Sequence, residues 1–209
     1  MRLLTQMQTS LLPSSWSFVF NIARFQRLAG VGNTLRRFAL ALFVMLLASC
    51  SSVDIDDYQG TSPGLSLEQF FNGKLTAAGV VRNYSGKVVR KFNVSMQASW
   101  AGDQGVIHED FVYDDGELQT RIWNITALGN GEYRGTAGDI IGVAQGQARG
   151  SALRWRYDMR LPVDGDEIDV HFDDWMFLVN DNTIINQSDI IKFGVTVAEV
   201  TLVIQRVTE

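Results

Sequence analysis

Three charged side chains stand where the strands of this sequence should present only apolar ones. In the segment 87–100, Val88, Phe92, Val94, Met96, Ala98 and Trp100 share one side of a two-residue period, and Arg90 falls with them. In 105–113 the apolar side is Ile107, Phe111 and Tyr113, and Glu109 is its odd member. In 117–127 Arg121 lines up with Trp123 and Ile125. An isolated buried charge is strongly disfavoured, so these groups must pair with one another or face a wet cavity. Paired across neighbouring strands, two guanidiniums against one carboxylate leave one positive charge over. A surplus arginine holds a carboxylate or phosphate head in two parallel hydrogen bonds, and an aromatic lumen takes the acyl or polycyclic body. A structural ion-pair network, or a bulge that turns the three outward, is the alternative.

Further candidates come from breaks in the same alternation. In 166–180 the apolar side holds Ile168, Val170 and Phe172 and then changes to Trp175, Phe177 and Val179, which predicts a β-bulge near Asp173 and Asp174 and aims Asp174 beside a site. Asp139 ends the run Gly135-Thr136-Ala137-Gly138-Asp139, where glycines let the chain bend sharply; a turn former is the competing reading. In 151–161, Leu153, Trp155, Tyr157, Met159 and Leu161 point one way, and Arg154, Arg156, Asp158 and Arg160 form a solvated face.

Most catalytic chemistries lack their residues. His108 and His171 both take the outward parity of their strands, and His108-Glu109-Asp110 cannot converge on zinc because adjacent strand residues face opposite sides. No G-x-S-x-G elbow, no glycine-rich loop opening a helix and no EF-hand loop is present. No cofactor and no metal is therefore expected. The one enzymatic reading left open is a barrel isomerase with Glu109 or Asp174 as general base.

These residues need a scaffold, and the chain predicts one. Alternating segments at 74–83, 87–100, 105–113, 117–127, 131–137, 142–149, 151–161, 166–180, 183–192 and 194–207 are separated by turn residues such as Asp114-Asp115-Gly116 and Gly129-Asn130-Gly131. Consecutive hairpins without a helical crossover favour an all-β, antiparallel up-and-down barrel of 8–10 strands, since closure removes the sheet edges. A β-sandwich is the runner-up. Ser66-Leu67-Glu68-Gln69 has the form of a capping box and predicts one short helical turn ahead of the first strand.

The N-terminal quarter reads as an address. The run 38–48, FALALFVMLLA, follows Arg36-Arg37 and is too short to span a bilayer, as a signal-peptide core is. It ends in Leu47-Ala48-Ser49-Cys50, a bacterial lipobox, with Cys50 the sole cysteine and the expected lipidation site. The expected organisation is a leader at 1–49, a lipidated flexible tether at 50–64 and one domain at 65–209. Ser51 after the cysteine favours the outer membrane, periplasmic face, over inner-membrane retention. Five of the 18 basic residues precede Cys50 and all 23 acids follow it, so the mature part carries about −10 and disfavours nucleic acid as a partner.

The run of Phe71, Gly73, Gly79, Gly86, Arg90, Phe92 and Trp100, then Glu109-Asp110-Phe111, Asp115-Gly116, Arg121-x-Trp123, the 135–139 segment, Arg154-Trp155-Arg156-Tyr157, Asp173-Asp174-Trp175-Met176 and Lys192-Phe193-Gly194, resembles the proteobacterial lipoproteins grouped as domain-of-unknown-function 3833. The resemblance covers nearly all of the mature chain and implies an envelope lipoprotein with a lipocalin-like barrel; it supplies no catalytic residues. Arg90, Glu109, Arg121, Asp139, Asp174 and Lys192 fall within the matching segments and, with Trp123 and Trp155, form the candidate lining of a ligand lumen. The leading expectation is thus a membrane-tethered barrel binding a hydrophobic, lipid-like molecule, an anionic one included. A solid barrel that docks an unknown envelope protein through an outer patch is the second, and the isomerase is the third.

Overall fold

The computed structural model describes residues 52–163 and 165–208, so Cys50 and the leader lie outside the described residues. Among the described residues no helix is long and apolar enough to cross a membrane. Ten strands follow one another: β1 (Gly73–Asn83), β2 (Val88–Ala101), β3 (Gln104–Tyr113), β4 (Leu118–Gly129), β5 (Glu132–Thr136), β6 (Ile140–Arg149), β7 (Ala152–Val163), β8 (Asp166–Asn180), β9 (Thr183–Lys192) and β10 (Val195–Arg206). Each pairs antiparallel with its neighbours in sequence, and β10 closes on β1, giving the up-and-down barrel the sequence predicts rather than a sandwich. Closure leaves no unpaired edge to aggregate.

The two-residue period decides which side chains fill the interior. Along β2, Phe92, Val94, Met96 and Ala98 are buried and the residues between them exposed. Along β7 the inward set is Leu153, Trp155, Tyr157 and Met159. Gly116, at φ +87°, lets the chain turn tightly between β3 and β4, a backbone shape unfavourable for other residues.

One end of the barrel is stoppered. Ser66 caps α1 (Leu67–Phe70) by accepting a hydrogen bond from the Gln69 amide, as the S-x-x-Q pattern predicts. Leu67, Phe70 and Phe71 are buried in the core, and the Trp100 indole donates to the Phe71 carbonyl at 2.9 Å. The opposite end is ringed by the β1–β2, β3–β4, β5–β6, β7–β8 and β9–β10 turns.

Three expectations are corrected. The segment after Ser52 is not a loose leash: a 3-10 turn at Ile55–Tyr58 buries Ile55, packs the Tyr58 ring 5.8 Å from Trp175 and 5.5 Å from Phe177, and pairs Asp56 with Arg149 at 3.0 Å. This explains the second correction. No bulge occurs at Asp173 and Asp174, where β8 pairs with β7 and β9 in unbroken register. Trp175 and Phe177 are apolar because they lie on the outer wall under that docked segment, while Ile168, Val170, Phe172, Asp174, Met176 and Leu178 keep the inward parity throughout. Third, Val88 is 42% exposed, because the β1–β2 register shifts between Val81 and Arg82 and the strand leaves the core there.

Candidate functional site

The interior is not filled solid. A cavity of about 790 Å³ runs from a floor at Leu67 and Phe71 to the open end at Arg90, Glu117, Pro162 and Gly165. Its size and apolar lining are those of small-molecule sites in general. Trp123 and Trp155 belong to its wall, edge to face with ring centres 5.7 Å apart. Trp155 fits because the neighbouring strands carry glycine opposite it: a Cβ at Gly146 would lie 2.1 Å from its Cε3, and one at Gly135 2.6 Å from its Cζ2.

Polar groups are concentrated on one arc of this wall. Glu109 on β3 faces Arg121 on β4 directly across the strand pair, with Arg121 Nη1 3.7 Å from Glu109 Oε2. Arg121 is engaged more closely by Asp139, to which Nε donates at 2.9 and 3.1 Å and Nη2 lies at 2.8 Å. The short β5 ends at Thr136, and the loop after it is pinned by the Arg160 amide donating to the Asp139 carbonyl at 3.0 Å, which holds the Asp139 carboxylate over the mouth half of the cavity. On the facing part of the arc the Tyr157 hydroxyl donates to Asp174 Oδ2 at 3.0 Å, and the Tyr157 ring stacks on Phe172 at 5.0 Å.

Two acceptors in this arc have no hydrogen-bond partner: Glu109 Oε2 and Asp174 Oδ1, both buried. Burial pushes the Glu109 carboxyl up to about 7, against the pull of Arg121 and with Asp139 and Asp174 adding to the rise. Burial likewise raises Asp174 to about 6, although the Ser188 and Tyr157 hydroxyls and Arg121 oppose it. Tyr157 is raised well above its ordinary value by burial and by Asp174, so it stays a neutral donor.

The sequence-predicted residues divide accordingly. Glu109, Arg121, Asp139, Asp174, Trp123 and Trp155 all line the one cavity. Arg90 reaches it only at the rim: its side chain is 30% exposed, its guanidinium lies 3.5 Å from the centre of the Tyr113 ring, and it pairs with Asp115 at 3.2 Å and Glu117 at 2.5 Å in the β3–β4 turn rather than with Glu109. Lys192 does not line the cavity; its ammonium donates to the Asp169 carbonyl and lies 4.9 Å from the Phe193 ring at the end of β9. The charge balance is therefore the reverse of the expectation. With Arg90 neutralised outside and Asp139 and Asp174 brought in, the interior holds one guanidinium against three carboxyls.

Tyr157, Asn186 and Ser188, with Glu117, Gln119 and Arg160 toward the rim, are polar lining residues absent from the sequence-based candidates. Asn186 and Ser188 share the parity of the buried Ile184 and Ile190 on β9, and that parity is the signal that would have found them. The Ser188 hydroxyl donates to Asn186 Oδ1 at 3.2 Å and also stands close enough to Asp174 to oppose the rise of its carboxyl. Both histidines are outside: His171 pairs with Asp158 at 2.9 Å on the surface, and His108 is exposed. Among the described residues no three His, Cys, Asp or Glu side chains are placed to hold a metal ion.

No curated protein matches the chain. Among solved structures the barrel is similar to that of the S-type phycobiliprotein lyase CPES from Guillardia theta, with 8% identity and a TM-score of 0.49 over 69% of this chain and 95% of that one. A family model described as Protein of unknown function (DUF3833) matches residues 44–206, a span that contains every strand of the barrel, and the chain belongs to that family.

Proposed function

We propose that this protein is a lipid-anchored binding barrel of the bacterial envelope, tethered through Cys50 to the periplasmic face of the outer membrane, and that its lumen holds one hydrophobic, lipid-like molecule. The cavity of about 790 Å³ carries this reading, because a barrel with a purely structural or docking role gains nothing from an unfilled interior lined by aromatic rings. The apolar run 38–48 ending in Leu47-Ala48-Ser49-Cys50 supports the anchor. Stoppered at the α1 end, the lumen exchanges its ligand through the opposite rim.

The test is native mass spectrometry of the chain extracted from membranes of its own host, beside a Cys50→Ser variant. The native chain should start at Cys50 carrying diacylglycerol and release a bound apolar molecule on collisional activation; the variant should fractionate as unanchored protein with the same molecule bound. A ligand-free mass for both proteins sinks the binding reading, and an unmodified cysteine sinks the anchor.

A further inference from the structure

We propose that the molecule held in the lumen is an amphiphile with a positively charged, hydrogen-bond-donating head, a primary alkylamine in its simplest form, seated against Glu109 and Asp174. The inference rests on the binding barrel proposed above and names the chemistry of its ligand. Asp174 is only 6% exposed, lines the cavity, and has one oxygen occupied by Tyr157 and the other, Oδ1, unpartnered. Glu109 Oε2 is also buried without a hydrogen bond, since 3.7 Å from Arg121 is too long for one.

Unsatisfied buried acceptors are disfavoured unless a donor arrives, and the nearest protein cation is held short of bonding distance, with Arg121 Nη1 3.7 Å from Glu109 Oε2. Arg121 has turned Nε and Nη2 to Asp139, and the Tyr157 hydroxyl is committed to Asp174. What the inner part of the cavity, around Glu109 and Asp174, offers a ligand head is therefore acceptors, while the unpartnered Nε of Arg90 lies apart from them at the rim. An anionic head would add a fourth negative group beside a single arginine, and Arg90 at the rim is already held between two acids. An ammonium supplies three donors and the missing positive charge together. A metal ion does not fit, because no three candidate ligands converge among the described residues. The apolar wall on β1, β2, β9 and β10, with Val81, Phe92, Val94, Ile190, Val200 and Leu202, takes the alkyl chain.

The probes are dodecylamine, dodecanol and dodecanoate, each below its micellar concentration at pH 7. Binding to the purified full chain is followed by calorimetry and by the emission of Trp123 and Trp155 in the wall. Dodecylamine should bind about tenfold or more tightly than dodecanol, with dodecanoate weakest, since a charge-assisted hydrogen bond to a buried acceptor is worth about that factor. Glu109→Gln and Asp174→Asn should each remove most of the amine preference, bringing the ratio of dodecylamine to dodecanol affinity to within about threefold of one. Should Asp174→Asn fail to fold by near-ultraviolet circular dichroism, Glu109→Gln decides the matter alone. Equal or tighter binding of dodecanoate, or an amine preference untouched by the substitutions, overturns this inference and leaves the binding barrel standing. Failure of all three probes to bind overturns both.

Discussion

Replacing Glu109 with glutamine should make the folded protein more stable at neutral and alkaline pH, which is the opposite of what removing a salt-bridge partner ordinarily does. The carboxyl moves from an ordinary 4.5 in the unfolded chain to about 7 in the barrel, chiefly through burial. Because its folded-state value lies above the unfolded one, the barrel is most favoured below pH 4.5 and loses that contribution as pH rises through 7. A tenfold change in proton affinity corresponds to ~1.4 kcal/mol, so between pH 5 and pH 8 the Glu109 contribution falls by about 2 to 3 kcal/mol. Glutamine keeps the shape, cannot ionise, and leaves Arg121 with Asp139 at 2.8 Å. Urea unfolding of both proteins at pH 5 and pH 8 isolates the effect to Glu109 and the carboxyls of Asp139 and Asp174 coupled to it, since titrating groups remote from them are common to the two and cancel. The variant should gain on the wild type by about 2 to 3 kcal/mol from the lower pH to the higher. A difference between the two proteins that does not change with pH, or a variant that weakens as pH rises, refutes the claim that this carboxyl is buried at a cost in its ionised form.

Arg121→Met should destabilise the barrel at pH 8 by about 3 to 5 kcal/mol in urea unfolding, because it strands Glu109, Asp139 and Asp174 without their cation, and by visibly less at pH 5, where the raised carboxyls of Glu109 and Asp174 are protonated. Gly146→Val should lower stability by about 1 to 3 kcal/mol and alter the near-ultraviolet dichroism of the tryptophans, because its side chain would meet the Trp155 indole; an unchanged spectrum would show that the indole does not lie where the glycine leaves room for it.

Side-chain alternation makes most of the fold and most of the site legible in the sequence. Glu109 and Arg121 sit mid-strand, where closure on both sides forbids a side chain any choice of face, and both are inside. Arg90 has the same parity but sits near the open end of its strand, close to the β1–β2 register shift, and its long side chain swings over Tyr113 to the acids of a turn. Parity fixes the face on which a residue starts, and only near strand ends does side-chain length override it. The bulge expected at Asp173 and Asp174 fails for a different reason, although Asp174 itself lines the cavity. The rule that outward strand residues are polar fails under Trp175 and Phe177, because a segment that is polar on average still buries Ile55 and Tyr58 against them. Its Ser- and Asp-rich composition hid a two-residue anchor. Asp139 could be suspected from its glycine-flanked bend, yet only the pinned loop brings its carboxylate to Arg121.

The placement of charge within the lumen distinguishes a site from a scaffold. Buried ion clusters are weak stabilisers, because desolvation offsets the attraction and well-packed apolar groups of the same volume do as well or better. Here the cluster is also incompletely satisfied, with two acceptor oxygens unpartnered and more carboxyls than cations, which makes it a net burden on the folded state. Away from the rim, where Arg90, Glu117 and Arg160 stand, the charged groups lie on β3, β4, β8 and the β5–β6 loop, whereas the opposite wall on β1, β2 and β10 carries apolar side chains into the same cavity. A structural role would place such groups where they pair completely; an arc of unmet acceptors facing an arc of aliphatic side chains across an open space is arranged for a molecule that has one polar end and one greasy one. Filling that space relieves the acceptors and buries the aliphatic wall in one event, so ligand binding should raise the stability of the barrel most at the pH where the carboxyls are ionised.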